Sequence, residues 1–525
     1  MSTLASLLMG ALLAACGAEA PGSSAITQPP APAQPAAPPV YTTADTARIT
    51  VDNGVSYQAI AGFGGTTLPL VYGGVDYLGA LRPAALEAAF RTVGISHGLL
   101  QIGVTEAPSL SNSPYEQRRN DNDDPFVIDP AGFNFAGLAA LRSAITAPAG
   151  AYGYTSLELG PMIDLRNTLD WMKAVRVTNY NRYLDEAAES VLAVLQQWRA
   201  TSGQTPTLIH LFNEPTTGNT ELGSTSMQEV VDLVKRIGTR LRAQGFPDVK
   251  FIVPNEETMN RSREVAAAIL ADPVARPFVG AIGFHQYPYG SVSASPRRML
   301  QTSGVGAPDA ATRVELEGLK ALAAQYGVSL WMTEVTEGPG TNDFAFDAIE
   351  NVLARAIHIH DVFRYGGANA FFGMNTMWDS RSHAEHFPGR NVSFISEASG
   401  VVLVDVERAT IRITGMGYAI GHYARWLAQG ALRLETTSEA NRVLSLGFRD
   451  ATRGRLVVVS TNADSVPRLL RVRVAGATAI GTFTGEVSYG TVRFAPLSGI
   501  VNATTGFSEF VAPPRSVVTL AIPVR

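Results

Sequence analysis

The sequence predicts an α/β protein, a (β/α)8 TIM barrel with an associated all-β sandwich domain, and three observations carry that expectation. Apolar runs at residues 207–212 and 330–332 each lead abruptly into a glutamate, Glu214 and Glu334. Strands of a parallel barrel deliver side chains to its carboxyl end in this way, and that end is where barrel enzymes keep their chemistry. Around these two runs, residues 58–425 repeat a rhythm of strand, loop and helix. From about Ala431 the pattern changes to short alternating strands separated by Gly, Asn and Asp, which reads as a sandwich.

Composition sets the outer limits. The 525 residues are 46% hydrophobic and 17% charged, values of a globular chain, and no internal run approaches the length of a membrane span. A net charge of −5 offers no basic face to nucleic acid. The single cysteine, Cys16, follows a short apolar segment at residues 3–13, so residues 1–16 are similar to a bacterial lipoprotein signal with Cys16 as the lipidation site. The expected location is the cell envelope or the exterior, with membrane contact only through that lipid anchor and a monomeric state. With Cys16 lipidated, disulfides, thiolate catalysis and cysteine-held metals drop out, and no metal or cofactor is expected. Residues 17–46 are rich in Pro and Ala and form a disordered tether, with a reach on the order of 90 Å.

Order begins near Ala47. Residues 48–51 alternate as a strand, Asp52-Asn53-Gly54 reads as a turn, and residues 55–60 resume extension. Because that first strand resembles those after Ala431, residues 47–57 are grouped with residues 426–525 in the sandwich. Gly62-Phe63-Gly64-Gly65 lacks the spacing of a dinucleotide loop, and its glycines suit close backbone approach to a ligand at the mouth of the first barrel strand. A helix at 83–93 has Pro in its first turn and Gly94 past its end. Strands follow at 99–104 and 156–163, and the acids Asp121, Asp123 and Asp124 between them read as solvated surface. The helix at 181–200 places Leu184, Ala188, Val191, Leu195 and Trp198 on one face.

Beyond Glu214, capping boxes are expected at Ser226 with Glu229 and at Thr312 with Glu315. Strands are expected at 250–254, 279–285 and 368–378, and a helix at 344–365. His358 and His360, two apart on that helix, point to different faces and read as separate surface histidines. Sandwich strands are expected at 443–448, 455–460, 469–474 and 517–522.

In order along the chain stand Tyr57-Gln58-Ala59-Ile60 before the glycines, Trp171-Met172-Lys173, Asn213-Glu214-Pro215, Phe284-His285-Gln286-Tyr287, Trp331-Met332-Thr333-Glu334 and the segment 412–426. Their sequence and spacing resemble glycoside hydrolase family 30, retaining β-glycosidases that include glucosylceramidases, xylanases and endo-β-1,6-glucanases. The resemblance covers the chain beyond residue 46. It implies a carbohydrate substrate, Glu214 as acid/base and Glu334 as nucleophile. It also implies Asn213 on the sugar 2-hydroxyl, and His285 and Tyr287 orienting Glu334 or the sugar. Trp378 and Trp171 are the remaining substrate-binding candidates, Trp378 as a platform for a sugar face. Leu211-Phe212 departs from the polar residue that many relatives carry there, which touches specificity and not chemistry.

The chemistry itself needs two carboxyls: one protonates the leaving oxygen, the other meets the oxocarbenium-like centre. Other carboxylates, Glu106, Glu256 with Glu257, and Glu337, lack a partner in register or lie beyond a strand end, and rank below the pair. The alternative is a non-catalytic, lipid-anchored carbohydrate-binding protein on a degenerate barrel, which would have no reason to keep both glutamates and their neighbours.

Overall fold

The computed structural model describes residues 42, 45–66, 79–103, 120–133, 158–164, 170–216, 225–286, 300, 308–335, 347–378, 400–405 and 408–525, with backbone alone for 97–103, 158–164, 170 and 378. Cys16, Tyr287, Glu106, Glu337 and residues 17–41, 43 and 44 of the tether lie outside the described residues, whereas Thr46, grouped with the tether from sequence, opens the first strand.

Fourteen residues of strand, β1 (Thr46–Ala59), precede the barrel. The barrel strands are β2 (Gly62–Thr66), β3 (His97–Gly103), β4 (Glu158–Asp164), β5 (Leu208–His210), β6 (Lys250–Glu256), β7 (Val279–His285), β8 (Ser329–Glu334) and β9 (Ala370–Trp378). Each pairs parallel with the next, and β9 pairs with both β8 and β2, which closes the ring. Beyond the ring, β10 (Gly400–Asp405) runs parallel to the upper part of β9, and β11 (Thr410–Ile413) returns antiparallel.

Residue parity along these strands separates two cores. Ile252, Ala281, Trp331, Ala370 and Phe372 point inward and fill the barrel. Their neighbours Phe251, Val253, Ile282, Leu330, Met332 and Phe371 point outward onto the helices. This double burial is why the strands read as unbroken apolar runs.

The first helix, α1 (Arg82–Leu86), continues as a π-helical segment, Glu87–Val93, and stops at Gly94, whose φ of +84° suits a residue without Cβ. Then come α2 (Asp170–Thr178), α3 (Tyr180–Ser202), α4 (Met227–Ala243), α5 (Met259–Ala271), α6 (Ala310–Tyr326), α7 (Ile349–Arg364) and α8 (Gly415–Ala424). On α4, Val230, Leu233, Val234, Ile237 and Leu241 are all buried, the spacing of one helical stripe. Ser226 caps α4 as expected, but Glu229 turns away to pair with Arg176. The cap of α6 is Asp309, which accepts from the Thr312 N–H and hydroxyl, while Glu315 pairs with Arg263. Asp309 precedes the first helical turn and a carboxylate is the stronger cap there, so it displaces Thr312.

The β module is a single nine-stranded sheet. Its strands are β1, β12 (Leu432–Ser438), β13 (Val443–Asp450), β14 (Arg455–Asn462), β15 (Arg468–Ala475), β16 (Thr482–Tyr489), β17 (Val492–Ile500), β18 (Phe507–Ala512) and β19 (Ser516–Pro523). Their order is β17-β16-β19-β14-β13-β12-β1-β15-β18. Leu470 and Val472 near one edge share a core with Phe483, Val518 and Leu520 from the far half, so the sheet folds over onto itself. The N-terminal β1 lies inside it, antiparallel to β12 and parallel to β15. Asp52-Asn53-Gly54 is no turn. Asp52 accepts from the Gly54 N–H, and the register slips between Asp52 and Ser56, a bulge within one continuous strand.

Opposite faces of the same strands serve different cores. Leu456 and Val458 enter the core of the sheet, whereas Leu446, Phe448, Val457, Val459 and Val517 join Phe363 of α7 and Tyr423 of α8 in the barrel core. At roughly 1.5–3 kcal/mol per buried side chain, those five contribute on the order of 10 kcal/mol to the union of barrel and sheet.

That union also overturns the reading of His358 and His360. Both are buried, because α7 is covered on one side by the barrel and on the other by the sheet. His358 sits edge-on to Phe371 and its Nε2 pairs with Gln286 Oε1 at 2.7 Å, while His360 Nδ1 pairs with Asp361 at 2.9 Å. The glycines before β3 are corrected as well. They form β2 itself, and a Cβ on Gly65 would crowd the backbone of Thr376 on β9, so at Gly65 the close approach is between strands.

Candidate active site

Glu214 stands just past β5, and its backbone is left-handed, with φ at +48°. A glutamate gains nothing locally from that conformation, and such outliers persist where surrounding structure imposes them. Here the Glu214 N–H donates to the Asn255 carbonyl at 2.8 Å, pinning the residue to the end of β6. Glu334 is the last residue of β8, at the same end of the barrel, and a one-residue register shift at Thr333 sets it opposite His285 of β7.

Between them stands His285, the last residue of β7. Its Nδ1 is 3.0 Å from Glu214 Oε1 and 3.9 Å from Glu334 Oε1. Burial alone would lower the imidazole pKa, but the Glu334 charge and the hydrogen bond and charge of Glu214 outweigh it, and the net shift is upward. One donor atom from each of Glu214, His285 and Glu334 lies within 4.8 Å of the others. Carboxylate–imidazole–carboxylate is a donor set that zinc accepts, so these are also the residues that could hold a metal ion.

A third carboxyl belongs to this site. Glu256, ranked low from sequence, is fully buried at the end of β6; its Oε1 accepts from the Thr216 N–H at 3.0 Å and its Oε2 has no partner among the described residues. Burial, with the Glu214 charge adding, pushes it up to about 7. The signal was present in the sequence: Asn255-Glu256 ends an apolar strand just as Asn213-Glu214 does. Beneath these groups, His210 stacks on Phe372, and burial followed by the His285 charge pulls it down to about 3, so it is neutral.

Of the other candidates, Asn213 is buried beside Glu214, and its Oδ1 has no partner among the described residues. Thr376 on β9 likewise has a buried hydroxyl with no partner among the described residues. Trp171 opens α2 and packs against the barrel core. Trp378 ends β9, and its side chain, like Tyr287, lies outside the described residues. The site is therefore two carboxylates bridged by an imidazole, flanked by a third carboxyl that carries a proton at mildly acid pH and by buried polar atoms with unused bonding capacity. Such atoms are costly unless a polar ligand meets them.

No family model matches the sequence, and no curated protein matches it. Among solved structures, the chain is similar to a GH30 endoxylanase from Clostridium papyrosolvens C71 at a TM-score of 0.61 and 16% identity, over 91% of this chain and 100% of that one. It is similar to the catalytic domain of GH30 xylanase C from Talaromyces cellulolyticus at 0.62 and 17%, over 90% and 99%. The endo-β-1,6-glucanase BT3312 matches at 0.62 and 18%, over 90% and 93%. The chain has the fold of these glycoside hydrolases, barrel and β module together.

Proposed function

We propose that this protein hydrolyses O-glycosidic bonds of a β-linked polysaccharide or glycoside by double displacement through a covalent glycosyl-enzyme. The observation that carries the reading is the pair Glu214 and Glu334, with a donor oxygen of each inside the 4.8 Å group they form with His285. Inverting enzymes separate their carboxyls by roughly 6.5–9.5 Å to admit a water, whereas retaining enzymes hold them about 5–5.5 Å apart. A short gap on a glycosidase-like fold supports the retaining course.

Glu334 attacks the anomeric carbon while Glu214 gives its proton to the departing oxygen. Water then enters, Glu214 takes its proton, and the ester to Glu334 is broken with the β configuration restored. Negative charge thus resides on Glu334 before the transfer and on Glu214 after it. His285, within 4 Å of both, keeps a positive partner beside whichever carboxylate is ionised. The Asn213 Oδ1, which has no partner among the described residues, accepts from a sugar hydroxyl, and the Thr376 hydroxyl has capacity for another. Residues 1–46 act as lipid anchor and tether through Cys16, so Cys16→Ala releases active protein from the membrane fraction.

The test is turnover of a panel of aryl β-glycosides and β-linked polysaccharides, with the first product followed by proton NMR before mutarotation. A β product is expected. An α product overturns the mechanism, and inertness towards the whole panel overturns the function.

A further inference from the structure

Asn255 is fully buried at the end of β6, with a left-handed φ of +60° that asparagine tolerates better than most residues. Both Nδ2 hydrogens are spent, one on the Phe212 carbonyl at 3.1 Å and one on the Ile252 carbonyl at 2.9 Å. Its Oδ1 accepts from the Thr333 hydroxyl at 2.9 Å, and its own carbonyl accepts from the Glu214 N–H at 2.8 Å. Phe212 stands two residues before Glu214, and Thr333 immediately before Glu334.

β5 and β8 are not neighbours in the barrel; β6 and β7 lie between them. The Asn255 side chain reaches β8 across β7 at Gly283, where any Cβ would collide with Asn255 Oδ1. One side chain thereby ties the Phe212 carbonyl, below Glu214, to the Thr333 hydroxyl, below Glu334. We propose that Asn255, acting through Thr333, is the positioning residue that sets the separation of the Glu214 and Glu334 carboxyls. This deepens the glycosidase reading and rests on it.

Two gentle substitutions separate the arms. Asn255→Asp keeps the shape and still accepts from Thr333 but loses both Nδ2 donors, so it loosens the Glu214 arm. Thr333→Val is isosteric and loses only the hydroxyl, so it loosens the Glu334 arm. A reacting group misplaced by about 1 Å can cost on the order of 100-fold. With melting temperature and titrated active-site concentration as controls, each variant is expected to lose about 10- to 100-fold in kcat with little change in KM. Asn255→Asp hydrolyses phenyl glycosides far worse than dinitrophenyl glycosides, whose departure needs no proton, whereas Thr333→Val slows both alike. The double variant loses less than the product of the two, because both act through one link.

A readout free of turnover is the titration of the His285 imidazole by NMR. Movement of the Glu334 carboxyl shifts it in Thr333→Val, the variant that decides this readout, because Asn255→Asp also adds a charge of its own. Parent-like kcat in both variants together with an unchanged His285 titration in Thr333→Val overturns the proposal. If Asn255→Asp does not fold, Thr333→Val decides by the same criteria. If the parent hydrolyses no glycoside, the glycosidase reading fails and the His285 titration still decides the role of Asn255.

Discussion

His285 Nδ1 stands 3.0 Å from Glu214 Oε1, with side-chain exposures of only 2% and 16%. The imidazole is therefore held beside two carboxyl groups with little water to screen them; burial lowers its pKa, but the Glu334 charge and the hydrogen bond and charge of Glu214 outweigh it and the net shift is upward. Its charge is present below that raised value and is lost as pH rises through it. His285→Asn should lower kcat by about 100-fold. It should also remove the His285-dependent part of the alkaline fall in activity. A pH profile of kcat/KM checks this, and an unchanged alkaline limb contradicts it.

Glu214→Gln and Glu334→Gln should each lower turnover by at least about 1,000-fold while the fold persists. Azide should rescue Glu334→Gly and give a glycosyl azide of inverted anomeric configuration, identified by NMR. Substantial activity in either glutamine variant removes the assignment.

Glu256 is pushed up to about 7 in the folded chain from an ordinary 4.5, chiefly by burial. Below about pH 4.5 both states are protonated, and its burial carries no ionisation penalty. Stability is then lost as pH rises, because the unfolded chain ionises first, and the loss levels off above about 7. Glu256→Gln should therefore melt closer to the parent at pH 5 than at pH 8, with a gain at the higher pH of up to about 3 kcal/mol. Urea unfolding at both pH values measures it, and equal differences at the two values contradict it.

Zinc should inhibit competitively, because Glu214, His285 and Glu334 offer one donor each within 4.8 Å. Chelators should leave activity intact, since neither proposed step uses a metal. Inhibition kinetics with zinc and with EDTA test both statements, and loss of activity in EDTA would make the ion part of the mechanism.

Cutting the chain after Gly430 should give insoluble protein. It removes Leu446, Phe448, Val457, Val459 and Val517 from the barrel core, exposing Phe363 and Tyr423, and leaves β1 without β12 and β15. Recovery in the soluble fraction with full activity would show that the two parts are independent.

Much of the architecture was legible because periodicity and punctuation are local. Parity two marks β13, β14, β15, β19 and the start of β1, the Ser226 cap marks α4, and strand-end position marks Glu214 and Glu334. The same locality explains the misses. Asp52-Asn53-Gly54 carries turn chemistry, yet pairing of β1 with β12 on one side and β15 on the other holds it as a bulge. His358 and His360 look solvated on a helix that the barrel and the folded sheet enclose from both sides.

From the sequence came the alternation of barrel strands and helices, part of the β module without β12, β16, β17 and β18, and the strand-end position of Glu214 and Glu334. Tertiary contacts set His285 between them, bring Glu256 beside them as a buried acid, and let Asn255 join Phe212 to Thr333 across β7. Those relations depend on ring closure, where β9 pairs with β8 on one side and β2 on the other. Closure brings strand ends that are far apart in the chain to within hydrogen-bond distance, and no local pattern of residues encodes that distance.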